Sequence, residues 1–289
     1  MKIKPLLATP GRRIRLKDFD TAYTDAFQSQ EHAQTKLDGN KERLAKYQDL
    51  LYAEHTHALL VILQGMDAAG KDSTVAHVMS GVNPEGCQVF SFKEPSAEEL
   101  DHDFLWRAYR NLPQRGRIGI FNRSYYEEVL VVRVHPELLQ NECLSRFKHA
   151  DKKFWEHRFE SINDLERHLA RNGTTILKFF LHVSREEQRK RFLTRLEDSR
   201  KNWKFSESDL HERSRWEDYQ AAYEDMINHT STRHAPWYII PADHKWFEHL
   251  AVSEVIVQTL KALNLHYPRL TKEQREQLEE AKQVLLRQG

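Results

Sequence analysis

Residues 58–74 have the sequence ALLVILQGMDAAGKDST, in which an apolar run leads into a glycine-containing loop. The run 58–63 predicts a buried strand, and the loop has the pattern Gly-x4-Gly-Lys before a stretch compatible with a helix. The glycines let the backbone surround an anion, N–H groups at the helix start point toward it, and Lys71 adds a positive charge. Strand, loop and helix together predict a phosphate-binding loop. Its predicted phosphate contacts are Gly65, Ala68, Ala69, Gly70, Lys71, Asp72 and Ser73.

Two carboxylates distinguish this loop from a generic one. Asp67 lies among N–H groups suited to phosphate, so it is tolerable if a divalent cation lies between them, or if it orients or deprotonates an acceptor phosphate. Asp72 occupies the place of the usual Ser or Thr after the lysine, and it can hold Mg²⁺ directly or through water. The alternative for Asp72 is an acid that merely favours the helix N-terminus. We therefore expect Asp67 and Asp72 as Mg²⁺ ligands.

Composition excludes several classes of protein. The 289 residues carry a net charge of only +1, so an anion-binding surface must be local, and a nucleic-acid-binding module is disfavoured. Cys87 and Cys143 have no metal-ligand spacing, which favours a reduced, cytoplasmic setting. No apolar run approaches the roughly 18 residues that span a membrane. The basic N-terminal stretch lacks the apolar core of a signal peptide, and we expect a solvated or phosphate-facing arm.

Strands alternate with helices along the chain. This order predicts an α/β fold, with a mainly parallel five-stranded sheet covered by helices on both faces. We expect a single domain over 1–289 that begins with an irregular arm at about 1–30. The predicted strands are 58–63, 88–93, 117–121, 174–183 and 237–241. The predicted helices are 31–54, 71–80, 96–111, one from 124, two between 136 and 172, one after 184, 206–228, 244–263 and 271–287. Ligands of such sheets bind at the carboxyl ends of the strands.

A second group of polar residues follows the third predicted strand, in the sequence FNRSYYEE at 121–128. A phosphate-loop enzyme uses a residue on the Mg²⁺ side at such a strand end, usually Asp, and here it is Asn122. Arg123 is suited to bidentate contact with phosphate, although it could be only a surface ion-pair partner. Glu127 completes a possible capping box with Ser124, or it lies near an acceptor nucleotide.

The stretch 185–204 is locally basic, with eight basic and four acidic residues. Such a stretch is either a solvated helix face or a mobile lid over phosphates. We favour a lid module at about 185–215, in which Arg191, Arg195 and Lys204 close over the phosphates. Lys93 and Arg133 are further candidates for the same anion path.

Four motifs together resemble the polyphosphate kinase type 2 family. They are GMDAAGKD at 65–72, FKEP at 92–95, FNRSYYE at 121–127 and NWKFS at 202–206, and the resemblance covers about residues 10–265. It implies a three-layer P-loop kinase fold with a helical lid, phosphoryl transfer between inorganic polyphosphate and nucleotides with Mg²⁺, and a homo-oligomer. The family's loop aspartate and lysine correspond to Asp67 and Lys71, its second-strand lysine to Lys93, and its phosphate-side arginine to Arg123.

With Asn122 and Glu127 at these positions, the chain resembles the subgroup that accepts both nucleoside mono- and diphosphates. Many members that use diphosphates have Asp in place of Asn122. The acceptors implied are AMP and ADP, or GMP and GDP. In the expected mechanism Lys71 and Arg123 neutralise the transferred group, and Asp67 holds metal or orients the acceptor beside Asn122. An ATP-dependent nucleoside monophosphate kinase is the alternative. A GTPase-like switch is disfavoured because the chain has no Asn-Lys-x-Asp motif.

Overall fold

The structure is a computed structural model that describes residues 1–142 and 150–288. Within these ranges six strands form one sheet in the order β1-β6-β5-β2-β4-β3. β1 pairs antiparallel with β6, and the other neighbours are parallel. The strands are β1 Leu7–Ala8, β2 Ala58–Gln64, β3 Cys87–Ser91, β4 Ile118–Asn122, β5 Thr174–His182 and β6 Trp237–Pro241.

Two groups of helices cover the sheet. One contains α1, α2 and α10, and the other contains α5, α6 and α9. Every residue of β2 is buried, as expected for the centre of a parallel sheet with both faces covered. The helices are α1 Gln30–Glu54, α2 Lys71–Val78, α3 Ala97–Leu100, α4 Trp106–Tyr109, α5 Val131–Val134, α6 Lys152–Arg171, α7 Arg185–Glu197, α8 Glu207–Ser214, α9 Trp216–Thr230, α10 Lys245–Ala262 and α11 Lys272–Leu286.

The α/β class and the mainly parallel sheet are confirmed, but the sheet has six strands rather than five. The sixth is β1, a two-residue strand that is too short to have a periodic pattern. The N-terminal residues are also more ordered than an irregular arm, because Leu6 and Leu16 are buried. The backbone N–H groups of Ile14 and Leu16 donate to side chains of α9, at 2.8 Å each.

Two predicted helices are each divided. The helix at 96–111 begins with the expected capping box at Ser96, but α3 ends at Leu100 and α4 begins at Trp106. Between them the Asp103 carboxylate accepts a bond from the Leu105 N–H, a local bond that competes with the helix. The helix at 206–228 is likewise α8 and α9. Cys143 and the part of the predicted 136–172 helices at 143–149 lie outside the described residues.

The capping box expected at Ser124 does not form. The Ser124 hydroxyl accepts from the Tyr126 N–H at 3.1 Å, and the next five residues, Tyr125–Val129, form a 3₁₀ helix. The Glu127 carboxylate lies 3.6 Å from the Arg123 guanidinium, so it is directed toward an ion pair rather than toward the backbone of Ser124. None of the helices in the described ranges has the length and apolar character needed to cross a bilayer.

The two motif-bearing strands are neighbours in the sheet. Leu63 of β2 is paired with Asn122 of β4, and the Arg123 N–H donates to the Leu63 carbonyl at 3.0 Å. The loops that follow β2 and β4 therefore leave the sheet side by side. β3 and β4 lie on one side of β2 in the sheet, and the later strands β5 and β6 lie on its other side, so the direction of strand addition reverses at β2. Such a reversal is where open α/β sheets bind ligands.

Candidate active site

The loop at 65–70 has the backbone shape of an anion cradle. Gly65, Ala68 and Gly70 have positive φ angles of 157°, 60° and 127°, which only glycine adopts without strain at 65 and 70. A Cβ on Gly70 would lie 2.4 Å from Oε1 of Glu248, so a larger residue would force this buried carboxylate to move. Gly70 is also the N-cap of α2 and contributes no side-chain cap, which leaves the first N–H groups of that helix directed into the loop.

Lys71 is folded back over the loop. Its Nζ donates to the carbonyls of Gly65, at 2.6 Å, and Met66, at 3.1 Å. Burial lowers the pKa of this ammonium, and the nearby positive charge of Arg123 lowers it further. Because the amine is costly to keep charged in this position, an anionic ligand in the loop would stabilise its charged form.

The two loop carboxylates contact the two residues that end β4. Oδ1 of Asp72 accepts from Nδ2 of Asn122 at 2.6 Å, and Oδ1 of Asp67 accepts from Nη2 of Arg123 at 2.7 Å. Arg123 adopts a left-handed backbone with φ of 63°, which directs its side chain toward the loop. The negative charge of Glu127 and then that of Asp67 hold the pKa of the Arg123 guanidinium above its usual range.

The donor set fits a hard divalent cation. Oδ2 of Asp67 and Oδ2 of Asp72 accept no hydrogen bond within residues 1–142 and 150–288. Carboxylate oxygens are ligands that Mg²⁺ prefers, and it keeps several waters when only one or two carboxylates bind it. Ser73 is not oriented as a ligand, because its hydroxyl donates to the Gly70 carbonyl at 2.8 Å.

Helix α7 supports the loop from behind. The Arg191 guanidinium donates to the carbonyls of Ala68, at 2.9 Å, and Ala69, at 2.7 Å, and also to that of Ala242. It is buried, with 7% of the residue exposed. The expected closure of Arg191 over the phosphates is therefore replaced by a contact with the loop backbone. Gln188 on the same helix donates to the Asp67 carbonyl at 2.9 Å.

A basic cleft of about 840 Å³ opens in front of the loop. Nine basic and four acidic side chains line it, and the basic ones come from the loop, from the ends of β3 and β4, from α7 and its following turn, and from α10. Arg195 is half-buried and lies 3.5 Å from Asp209, whereas Lys204 is exposed. The basic residues are Lys71, Lys93, Arg123, Lys190, Arg191, Arg195, Lys201, Lys204 and Lys245.

Two smaller cavities adjoin the cleft. One, of about 300 Å³, has apolar walls that include Phe92, Phe104 and Leu138. The other, of about 260 Å³, lies between the loop and α8. Arg123 lines both cavities and the cleft, and Glu127 lines the two cavities. Arg123 is thus the point at which the three spaces meet.

Arg133 is the one proposed site residue that lies away from this region. Its guanidinium is paired with Asp225 and lies 5.6 Å from the Trp155 ring centre. It lines a separate cavity with Arg12 and Arg13. Arg133 follows the Asn-Arg-Ser motif in sequence, but the turn of the chain through α5 directs it toward α9. The structure therefore places Arg133 away from the cleft at the loop, where the anion path was predicted.

Several residues near the site were not singled out from the sequence. Glu248 on α10 is fully buried, accepts a bond from the Thr74 hydroxyl, and has its pKa raised to about 7 by burial. Lys190 and Lys201 lay within the basic stretch without being assigned to the site. Lys245 is at the start of α10, where only the position after β6 could have indicated it.

A family model described as Polyphosphate kinase 2 matches residues 27–268 of the chain. The chain belongs to this family. An ADP-polyphosphate phosphotransferase of Rhodopseudomonas palustris is 52% identical over 287 residues, 99% of each chain. An AMP/ADP-polyphosphate phosphotransferase of Meiothermus ruber is 46% identical over 267 residues, 92% of this chain and 96% of the relative. A solved structure of polyphosphate kinase 2 from Arthrobacter aurescens TC1 has a TM-score of 0.85, 38% identity and 95% coverage of both chains.

These similarities confirm the family and the resemblance to members that accept AMP and ADP. This polyphosphate kinase 2 is a transferase that moves phosphoryl groups between polyphosphate and nucleotides. The solved structure also confirms the P-loop kinase fold, in which the cleft and the two cavities lie at the carboxyl ends of the parallel strands.

Proposed function

We propose that this polyphosphate kinase 2 transfers the terminal phosphoryl group of inorganic polyphosphate to both nucleoside mono- and diphosphates, with Mg²⁺. The observation that carries the proposal is the position of Arg123, which lines the basic cleft and both smaller cavities. A group at that junction can contact the donor chain and the acceptor phosphate at once. Adenine and guanine nucleotides are the acceptors we propose.

Polyphosphate occupies the basic cleft. The volume of this cleft and its excess of positive charge suit a polyanion, and Arg195 and Lys204 are among the basic residues that line it. Lys93 lines both the cleft and the apolar cavity, so it can contact phosphates of donor and acceptor. We propose that α7, the turn after it and α8 form a lid, at about 185–215, within one kinase-like domain.

The acceptor nucleoside occupies the apolar cavity. The rings of Phe92 and Phe104 and the side chain of Leu138 offer surfaces for a purine, and Glu99 and Asn141 offer polar atoms at the same cavity. Arg123 and Glu127 lie where this cavity meets the loop, so the acceptor phosphates would be directed toward the donor. Charged residues such as Arg107 and Glu128 also line the cavity, and a combination of apolar surfaces with polar groups that fix orientation is typical of small-molecule sites.

In the reaction an oxygen of the acceptor phosphate attacks the terminal phosphorus of polyphosphate. The bond from that phosphorus to its bridging oxygen breaks, and the shortened chain leaves with the electron pair. Lys71 and Arg123 stabilise the charge on the transferred group, and loop N–H groups orient its oxygens. Asp67 and Asp72 would hold Mg²⁺, and Asn122 fixes Asp72. Mg²⁺, when bound there, would supply positive charge that offsets the charge of the phosphates.

We also propose a homo-oligomer in the cytoplasm. The support for an oligomer is α11, on which Leu278, Leu285 and Leu286 are exposed. The support for the location is Cys87, a free thiol in the described part of the chain, which suits a reducing compartment.

The test is a comparison of acceptors. Polyphosphate is supplied with AMP, ADP, GMP or GDP, and the products are separated by ion-exchange chromatography. We expect both mono- and diphosphates to gain one phosphoryl group. Asn122→Asp adds a negative charge 2.6 Å from Asp72, and we expect it to change the AMP to ADP ratio of kcat/KM at least threefold. Use of diphosphates alone by the native enzyme would contradict the proposed acceptor range, and an unchanged ratio would show that Asn122 does not set it.

A further inference from the structure

A cluster of two histidines and a glutamate lies where the α8 helix meets the body of the enzyme. His135 follows α5, and His211 and Glu212 lie on α8. His135 Nε2 is 3.0 Å from Glu212 Oε2, and His211 Nδ1 is 3.5 Å from Glu212 Oε1. One ligand atom from each residue lies within 4.8 Å of those of the other two. The cluster is separate from the carboxylates of the phosphate loop.

His135 carries the first argument for a cation here. Both of its ring nitrogens face carboxylates, Nδ1 toward Glu137 at 3.2 Å and Nε2 toward Glu212 at 3.0 Å. A neutral imidazole donates from only one nitrogen, so the other would place a lone pair against a carboxylate. A metal ion between Nε2 and Glu212 would let a neutral ring make both contacts, with Nε2 bound to the ion and the Nδ1 proton donated to Glu137.

The spacing and chemistry suit zinc. Zn²⁺ binds imidazole nitrogen and carboxylate oxygen at about 2.0–2.2 Å, so tetrahedral ligands lie about 3.3 Å apart. Two separations are close to this value, Nε2 of His135 to Oε2 of Glu212 at 3.0 Å and Nδ1 of His211 to Oε1 of Glu212 at 3.5 Å, and the third is between the two histidines. Each carboxylate oxygen of Glu212 thus faces one imidazole, and Oε2 also accepts from the Tyr219 hydroxyl. His211 has 62% of its side chain exposed, so its ring is free to rotate to close the third. Glu137 would then hold the Nδ1 proton of His135, as carboxylates commonly do behind a metal-bound histidine.

We propose that His135, His211 and Glu212 form a site for Zn²⁺ or a similar transition-metal ion, with water as the fourth ligand. The ion would join His135, which follows α5, to two residues of α8 and so attach α8 to the body of the enzyme. Mg²⁺ is a poor competitor because it prefers oxygen ligands, whereas imidazole suits zinc, copper and nickel. Glu212 also lines the cavity beside the phosphate loop, so the ion restrains one wall of that cavity.

The test is metal titration of the full chain, without an affinity tag and after treatment with a chelator. Zn²⁺ is titrated by calorimetry in the presence of excess Mg²⁺, with no nucleotide or polyphosphate. His211→Ala removes the exposed ligand, and His157→Ala removes an exposed histidine on α6 as the matched control. Replacement of zinc by Co²⁺ supplies a visible absorption band that reports tetrahedral coordination.

We expect one equivalent of Zn²⁺ to bind the native chain and His157→Ala alike, with affinity at least tenfold weaker in His211→Ala. We also expect Zn²⁺ at 100 times Kd to raise the unfolding temperature of the native chain by about 4 °C, and that of His211→Ala by less. Equal affinity in His211→Ala would overturn the proposal. So would the absence of Zn²⁺ binding by the native chain.

Discussion

Nη2 of Arg123 donates to Oδ1 of Asp67 across 2.7 Å, so the residue that follows β4 is joined to the loop that follows β2. This contact unites the two parts of the sequence that carry the phosphate chemistry. The guanidinium also lies 3.6 Å from Glu127. A planar group with several donors can hold both carboxylates and still face a phosphate, which a single ammonium cannot do.

Arg123→Lys therefore keeps the charge but loses the paired contacts. We expect kcat/KM to fall by about 10²-fold or more, because the charge on the transferred group loses a positioned donor. Arg133→Lys is the matched control, since Arg133 pairs with Asp225 away from the loop, and it should stay within about twofold of the native value. Steady-state kinetics with saturating Mg²⁺ measure both. Equal losses in the two variants would contradict the special position of Arg123.

Arg191 and Arg189 lie two residues apart on α7 but differ in environment. Arg191 is buried against loop carbonyls, whereas Arg189 is exposed and pairs with Glu186. Arg191→Met should lower the free energy of unfolding by about 3 kcal/mol, since it leaves buried carbonyls without their charged donor. It should also raise KM for polyphosphate as the loop loses its support. In chemical denaturation, Arg189→Met should have nearly the native free energy of unfolding. A similar decrease in both variants would show that the two arginines do not differ in their contribution to stability.

Glu248 should make stability depend on pH. Burial raises its pKa to about 7 from an ordinary value of 4.5, so between these values the native state holds a proton that the unfolded state has lost. The free energy of unfolding contributed by this group therefore falls as pH rises from 4.5 to about 7, and it stays low above that pH. Glu248→Gln cannot ionise, so at pH 8 it should be more stable than the native enzyme by up to about 3 kcal/mol.

The measurement is the unfolding temperature of both proteins from pH 4.5 to pH 8. Glu248→Gln should unfold at a higher temperature than the native enzyme only toward pH 8. Glu280→Gln, on the exposed surface of α11, is the control and should parallel the native curve. If Glu248→Gln also parallels that curve, the buried carboxylate does not hold a proton in the native state.

The sequence predicts the centre of this site well because local rules act there. A glycine loop between an apolar strand and the start of a helix is compatible with few local structures other than a phosphate loop. Neighbouring parallel strands bring their carboxyl ends to the same edge of the sheet. The closeness of Asp67, Asn122 and Arg123 was therefore expected. The exact pairs, Asp67 with Arg123 and Asp72 with Asn122, depend on backbone angles that a pattern does not encode.

Contacts between residues that are distant in the sequence could not be predicted from local patterns. Lys178 lies in an otherwise apolar strand, and its Nζ is 2.6 Å from the Glu166 carboxylate, with both residues fully buried. Burial lowers the pKa of this lysine to about 8. Nothing near Lys178 in the sequence indicates its partner on α6. β1 likewise has two residues and a partner strand more than two hundred residues away.

The roles of individual arginines were also beyond the pattern. Arg133 and Arg191 were both predicted to contact phosphates, yet one pairs with Asp225 and the other donates to loop carbonyls. Which side of a helix a long side chain covers depends on the packing of that helix. Composition predicts the presence of a basic surface there, but not the partner of each guanidinium.

Lys71 tests the central claim most directly. ADP and polyphosphate are supplied with Mg²⁺ and no other phosphoryl donor, and ATP is measured for the native enzyme, Lys71→Ala and Lys46→Ala, whose lysine is exposed on α1. We expect ATP from the native enzyme and Lys46→Ala, and at least about 10²-fold less turnover from Lys71→Ala with its circular dichroism unchanged. Near-native turnover by folded Lys71→Ala, or no ATP from the native enzyme, would contradict the account.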